Sequence, residues 1–171
     1  MWIDKINEQG QTLLEMIVVI TVGIIIVGAL TFATIASLRN ANFAKNQAQA
    51  TKLSQEALEN VRSIRDRNLP NSVIYETASG PTSTFADLFN ESCSPNGCYF
   101  TLNSDGTVLT GGTEASYEQI EGVFNRQIVI KDGRDKNLEK EVTSIVGWVD
   151  SRGEKHVSRI STILRNQNAN F

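Results

Sequence analysis

The chain has 171 residues, a formal net charge of −3, one His and two Cys. This length fits one domain of ordinary size with an additional element. Lys and Arg are scattered along the sequence, so it lacks the concentrated basic patch that phosphate binding requires. The composition therefore gives no direct indication of a nucleic-acid partner.

The N-terminal region changes abruptly from polar to apolar. The polar stretch MWIDKINEQG opens the chain, and residues 16–38 contain no Asp, Glu, Lys, Arg, Asn, Gln or His. As a helix, this apolar run spans roughly 34 Å, enough for a hydrocarbon core of about 30 Å. It is longer than the apolar region of an ordinary signal peptide. We therefore predict a membrane-spanning helix, and the alternative is a buried helix of a soluble domain.

Glu15 is the most informative single residue, because it places a carboxylate where the apolar run begins. Such a charge costs about 2.5–3.5 kcal/mol at mid-membrane and less near the interface. A buried carboxylate is tolerated when it meets an opposite charge. A simple membrane anchor has no need of this residue, so we expect Glu15 to have a cationic partner.

This region resembles the N-terminus of the type IV prepilin family, in which a short leader ends in Gly before the cleavage point. A Thr-Leu-(Leu/Ile)-Glu block then leads into an apolar helix. The matching residues are Gly10 at the end of the leader, Gln11 as the new N-terminus, and then Thr12, Leu13, Leu14 and Glu15. Two positions depart from the family pattern, since Gln11 replaces the commonest residue, Phe, and Phe32 replaces a frequent proline.

The resemblance implies a route of processing and assembly. A prepilin peptidase would cut between Gly10 and Gln11 and methylate the new amine of Gln11. Glu15 would then pair with the N-terminal amine of a neighbouring pilin subunit, through the pilus assembly machinery. Before assembly the protein would cross the bacterial inner membrane once, with its C-terminal domain outside, and afterwards it would lie in a pilus at the cell surface or outside the cell.

Residues 39–66 keep the helical period but become amphipathic. Apolar residues recur at intervals of three and four on one face, at Ala50, Leu53, Ala57, Val61 and Ile64. Asn68-Leu69-Pro70 is predicted to end the helix. Counted from Gln11, the helix would have roughly 55 residues and a length of about 80 Å. Segments 55–59 and 61–66 are similar to the helix end of PilV-class minor pilins.

The remainder of the chain is predicted to contain loops and β-strands. Segment 71–97 is rich in Ser, Thr, Asn, Pro and Gly, which indicates an irregular connection with a short helical turn near 85–89. Strands are predicted at 99–102, 107–110, 123–130, 141–149 and 155–164, with hairpin turns at 103–106 and 150–153. Six residues are candidates for the core, namely Val142, Ile145, Val149, Val157, Ile160 and Ile163.

The predicted fold class is therefore α+β, with a long N-terminal helix packed on a small antiparallel β-sheet, as in pilins. The predicted organisation has four parts, which are the leader (1–10), the transmembrane assembly helix (11–38), its amphipathic continuation (39–67) and an extracytoplasmic globular part (68–171).

Cys93 and Cys98 enclose the turn-forming residues Ser-Pro-Asn-Gly. In an exported domain, two cysteines this close indicate a disulfide. Closing so small a loop would stabilise the fold by roughly 2 kcal/mol. Free thiols or a metal site are the alternatives, but a metal needs two further ligands and the sequence has one His and no other Cys.

No motif predicts catalysis. The sequence contains no Gly-rich phosphate loop, no H-E-x-x-H and no nucleophile elbow. His156 follows a predicted turn, so we expect an exposed structural role, and Asp132, Asp135 and Asn137 miss the spacing of a calcium loop. We predict that the protein is not an enzyme and needs no cofactor or metal.

Three functions remain open. The first is a structural subunit of a pilus, most simply a minor pilin. The second is a pseudopilin of a type II secretion or DNA-uptake system, which shares the same N-terminal block. The third is a membrane-tethered extracytoplasmic binding module whose anchor only resembles a prepilin.

Overall fold

The computed structural model describes residues 4–67, 75–77, 80–82, 88–89, 93, 96–135 and 137–166, with the backbone alone at 4–11, 75–77 and 80–82. The principal elements are α1 (Asp4–Arg67), β1 (Tyr75–Thr77), β2 (Gly80–Thr82), β3 (Cys98–Leu102), β4 (Leu109–Gly112), β5 (Glu118–Ile120), β6 (Phe124–Asp132), β7 (Glu139–Val149) and β8 (Lys155–Arg165). The chain divides into two compact units, Met1–Ala44 and Lys45–Phe171.

Helix α1 extends to Arg67, and the predicted stop at Asn68-Leu69-Pro70 lies outside the described residues. At the other end α1 begins at Asp4, so most of the leader is helical. The sequence had predicted only a polar leader there.

The strands form one sheet in the order β2-β1-β4-β3-β6-β7-β8, and β5 pairs with β6 beside that path. All pairs are antiparallel except β1 and β4, which are parallel. Both predicted hairpins are confirmed, because β3 pairs with β4 and β7 pairs with β8. The predicted α+β class is therefore confirmed. Strands β1, β2 and β5 were missed, and of the predicted turn near 85–89 only Leu88 and Phe89 are described, as helical residues.

The core of the unit Lys45–Phe171 lies between the sheet and the part of α1 that belongs to this unit. The predicted apolar stripe of the helix is confirmed, since Ala50, Ala57, Val61 and Ile64 are buried and Leu53 is half-buried. The larger cluster adds Leu58, Leu88, Phe89, Phe100, Leu102, Leu109, Ile128, Ile130, Val142 and Leu164. A second cluster joins Ala50 to Phe124, Val146 and Trp148. Burial of these side chains is the main force that holds the helix on the sheet.

Part of the predicted core is wrong. Val142 is buried and Ile160 packs against the core, but Val149, Val157 and Ile163 are 52%, 50% and 63% exposed. Alternate residues of a strand point to opposite faces, and the even-numbered residues of β7 point inward. Ile145 therefore lies on the outer face with the three exposed residues. The inner positions of β7 include Lys140 and Ser144, whose polarity hides the true alternation in the sequence.

Two ion pairs accompany the apolar core. The Arg126 guanidinium donates to both carboxylate oxygens of Glu118, at 2.8 Å and 3.0 Å, and to the helix carbonyl of Leu53 at 3.4 Å. Burial raises the pKa of Glu118, Arg126 opposes that rise, and Glu56 adds to it. Lys140, which is fully buried, donates to Asp132 at 2.5 Å. A buried cation needs such a partner, so Asp132 has a structural role here.

Candidate processing and assembly site

The predicted cleavage point lies inside a helix. Helix α1 runs without a break through Gly10 and Gln11, whose side chains lie outside the described set. Gln11 and Glu15 are four residues apart, which places them on the same face of the helix, one turn from each other. The segment that would bear the new amine is therefore close to the first acid of the apolar run.

The block that follows the cleavage point is exposed. Leu13 and Leu14 are 64% and 66% exposed, and Thr12 and Glu15 are exposed as well. Among the described side chains, no Lys or Arg forms an ion pair with Glu15. Glu15 is therefore an exposed carboxylate at the start of the apolar segment.

The helix beyond Glu15 is apolar around its whole circumference. Its exposed large side chains include Met16, Ile17, Val18, Val19, Ile20, Val22, Ile24, Ile25, Ile26, Val27, Leu30, Phe32, Ile35 and Leu38. A helix that is hydrophobic on all sides belongs in a membrane or in a large protein core. In the part of the chain that the structure describes, α1 is the one helix long and apolar enough to cross a membrane.

The hydroxyl groups in this apolar segment are satisfied within the helix. Thr21, Thr31 and Thr34 each donate to the carbonyl oxygen four residues earlier, at 2.8 Å. In a hydrocarbon environment an unpaired polar group costs several kcal/mol. These internal hydrogen bonds remove that cost, so the threonines are compatible with an apolar environment.

Cys93 and Cys98 form a disulfide, as the sequence predicted. Cys93 is buried, and Cys98 packs against the larger core cluster. Between them, Gly97 adopts a φ of +97°, and a Cβ there would lie 2.6 Å from Cγ1 of Val129. The tight turn over β6 therefore requires glycine at this position.

His156 is half-buried, which corrects the expected exposed position. Its ring stacks on Trp148 with centroids 5.4 Å apart, and its Nε2 lies 3.2 Å from Oδ2 of Asp150. The other oxygen of Asp150 accepts from the backbone N–H groups of Arg152 and Glu154, at 2.8 Å and 3.0 Å. Burial opposes the charge on Asp150, but the hydrogen bonds from Glu154, His156 and Arg152 outweigh it and lower its pKa to about 2.

Asp150, Glu154 and His156 bring their ligand atoms within 4.8 Å of one another. This group was not predicted from the sequence, although its D-x-x-x-E-x-H spacing spans one hairpin turn. Arg152 already forms ion pairs with both carboxylates, at 3.5 Å and 3.3 Å. A metal ion would compete with this guanidinium, so the arrangement is best explained as an ion-paired turn.

The comparison with protein families adds one match. A family model, the prokaryotic N-terminal methylation motif, matches residues 5–31. No curated protein and no solved structure matches the chain. The matched segment contains Gly10, Gln11 and Glu15, and proteins with this motif are structural subunits. The chain therefore carries the type IV prepilin signature, and its N-terminal part is that of a pilin-like precursor.

Proposed function

We propose that the protein is a structural subunit of a type IV pilus, a minor pilin. A prepilin peptidase cleaves it between Gly10 and Gln11 and methylates Gln11, and the subunit then enters the filament by packing of its N-terminal helix. The observation that carries this proposal is the apolar, exposed segment of α1 that follows Glu15 and begins within the matched motif.

The position of Gly10 favours cleavage. Glycine in a helix interior is about 1 kcal/mol less favourable than alanine, so the helix opens more easily there. The absence of a Cβ also lets a protease approach the backbone closely. The helical leader must unwind locally before the peptide bond can enter an active site, and Gly10 lowers the free energy needed.

Glu15 supplies the assembly interaction. Methylation leaves the new α-amine basic, so this amine still carries a positive charge at neutral pH. The amine of one subunit then neutralises the Glu15 carboxylate of its neighbour inside an apolar filament core. A carboxylate without such a partner stays unfavourable in that environment. Thr12, Leu13 and Leu14 provide the contacts around this ion pair.

Before assembly the subunit crosses the inner membrane once, with the globular part outside. The disulfide supports this orientation, because disulfides persist in oxidising compartments and are rare in the cytosol. The same N-terminal block also fits a pseudopilin of a type II secretion or DNA-uptake system. Mass spectrometry of purified pili and of secretion filaments from one host identifies which of the two contains the subunit.

Processing is tested by co-expression with a prepilin peptidase. The intact mass is expected to fall by that of residues 1–10 and to rise by one methyl group, with the methyl located on Gln11. Gly10→Ala should remain uncut. Gly23→Ala is the matched control, because a Cβ at Gly23 meets no atom within 4 Å, and it should be cut normally. Efficient trimming of Gly10→Ala, or an intact leader in the unaltered chain, would leave a membrane-tethered module as the better explanation.

A further inference from the structure

Strand β8 forms one edge of the sheet and is one of its two longest strands, with 11 residues. Among the described residues, no strand pairs with its outer side. The backbone N–H of Asp150 donates to the backbone carbonyl of Glu154 at 2.9 Å, so Asp150 and Glu154 are a hydrogen-bonded pair of the hairpin. Such pairs recur at every second residue of an antiparallel ladder. The backbone groups of Val157, Arg159, Ser161 and Ile163 therefore point to the open edge.

The exposed side chains along this edge include both cationic and apolar residues. The sequence of β8, KHVSRISTILR, contains three Lys or Arg residues and no Asp or Glu. Arg165 pairs with Glu139 at 2.9 Å, but no acidic group among the described residues pairs with Lys155 or Arg159. Val157 and Ile163 are 50% and 63% exposed beside them.

A second copy of β8 is a poor partner for this edge. Pairing two copies would double the positive charge without adding an acid, and like charges opposite each other destabilise a strand pair. Cations on an edge also prevent indiscriminate pairing. Carboxylates next to Lys155 and Arg159 would instead be stabilising, and apolar residues would cover Val157 and Ile163.

We propose that the outer edge of β8 accepts an extended acidic segment of another protein as an additional antiparallel strand. Main-chain hydrogen bonds supply the affinity in this mode of recognition, and the alternate side chains supply the specificity. The proposal concerns the globular unit only. It goes beyond the proposed function and depends neither on leader cleavage nor on Glu15.

The test uses the full chain in detergent micelles and two synthetic peptides. One peptide carries Val, Thr, Glu, Val and Glu at alternate positions with Thr between them, and the other replaces each Glu with Lys. Fluorescence anisotropy measures the Kd of each peptide, and amide hydrogen exchange measures the protection of the backbone N–H groups along the outer edge of β8. The acidic peptide should bind at least about tenfold more tightly than the basic one. On binding, the amides of Val157, Arg159 and Ser161 should become protected.

Two variants separate charge from backbone pairing. Arg159→Glu should abolish the preference, because Lys155 still attracts the acidic peptide while the carboxylate at position 159 attracts the basic one, so that the two peptides bind with similar affinity. Ser161→Pro removes an N–H group that points outward, which an edge strand tolerates, and it should weaken the binding of both peptides. Circular dichroism checks that both variants fold. If Ser161→Pro does not fold, the effect of Arg159→Glu on the peptide preference alone tests the proposal.

Three results would overturn the proposal. They are equal affinity for the two peptides in the unaltered chain, no protection of the edge amides at saturation, and self-association of the chain that Ser161→Pro abolishes. The last result would make a second copy the occupant of the edge.

Discussion

At the scale of single residues, Glu15 combines two properties that rarely occur together, namely a negative charge and a place at the start of an apolar helix. The exposed side chain has no cation among its described neighbours. In the proposed filament, an amine of another subunit would supply the opposite charge. We therefore expect the effect of Glu15 to appear at assembly and not at folding.

Glu15→Ala is expected to insert into the membrane and to be processed normally, but to enter filaments at least about tenfold less often, because the ion pair is lost. Immunoblots of sheared filaments and of membranes measure the two pools. Asn40→Ala, a change at an exposed position of the same helix, is the control. Normal incorporation of Glu15→Ala would remove the assembly role from this residue.

The lowered pKa of Asp150 leads us to expect that the stability of the fold depends on pH. Its pKa is lowered from 3.8 to about 2 in the folded state, so its contribution to stability is fully present above about pH 4. The contribution is lost as the pH falls from about 4 through about 2. Asp150→Asn should therefore melt at a lower temperature than the unaltered chain at neutral pH, and the two should converge near pH 2.

Thermal unfolding followed by circular dichroism over this pH range measures the difference. Glu118 has a raised pKa, so its own contribution declines as the pH rises, the opposite direction to Asp150. Glu118 is present in both proteins and cancels in the comparison. A difference in melting temperature that does not change with pH would show that the charge of Asp150 does not stabilise the turn.

At the scale of elements, the disulfide holds a short loop against β6. Cys98 packs against the larger core cluster, and Cys93 is buried. Constraint of the unfolded chain by so small a loop is worth roughly 2 kcal/mol. The bond therefore secures a part of the chain that has little regular structure of its own among its described residues.

The double variant Cys93→Ala, Cys98→Ala should lower the free energy of unfolding by roughly 2 kcal/mol. A reducing agent should lower the stability of the unaltered chain by a similar amount and leave the double variant unchanged, which serves as its control. Thermal unfolding with and without reductant measures both effects. Equal stability of the oxidised and reduced chains would contradict the prediction.

The elements that the sequence predicted well are those with local signals. Turn residues at 103–106 and 150–153 fix two hairpins, and the three-four spacing of Ala50 to Ile64 fixes the buried face of the helix. The parity of β7 could not be predicted, because apolar residues occupy both faces and Lys140 takes a buried position. The parallel pairing of β1 with β4 has no local signal at all.

The residues of the candidate site also differ in whether a local sequence signal could identify them. The prepilin block is a linear motif, so the resemblance to the prepilin family points to Gly10, Gln11 and Glu15 without a structure, and the matched family model covers the same residues. The contacts of His156 could not, because they depend on the hairpin register that places it opposite Trp148. The pair of Arg126 and Glu118 likewise depends on β5 folding back onto β6.

At the scale of the whole molecule, the two compact units differ in how they satisfy their apolar residues. Both core clusters lie within Lys45–Phe171, whereas the helix of Met1–Ala44 exposes its apolar side chains. The unit Lys45–Phe171 thus has a core of its own, and the apolar helix of Met1–Ala44 needs lipid or other helices. The whole chain should therefore require detergent, while the larger unit should not.

A fragment of residues 45–171 is expected to be soluble without detergent and to unfold cooperatively, because it keeps every residue of both clusters. A fragment that begins after Arg67 lacks Ala57, Val61 and Ile64, and should not fold. Circular dichroism and size-exclusion chromatography distinguish the two. Aggregation of the longer fragment would show that the N-terminal half of the helix is needed for folding.

The threonine hydroxyls that bond to their own helix affect the energetic cost of moving α1 between lipid and protein surroundings. Thr21, Thr31 and Thr34 are exposed, but their hydroxyl groups stay paired with carbonyl oxygens of the same helix. Acyl chains and neighbouring helices are then nearly equivalent to this surface, since neither has to break a hydrogen bond on leaving. A transfer of this helix between lipid and a protein environment therefore carries little energetic penalty from these side chains.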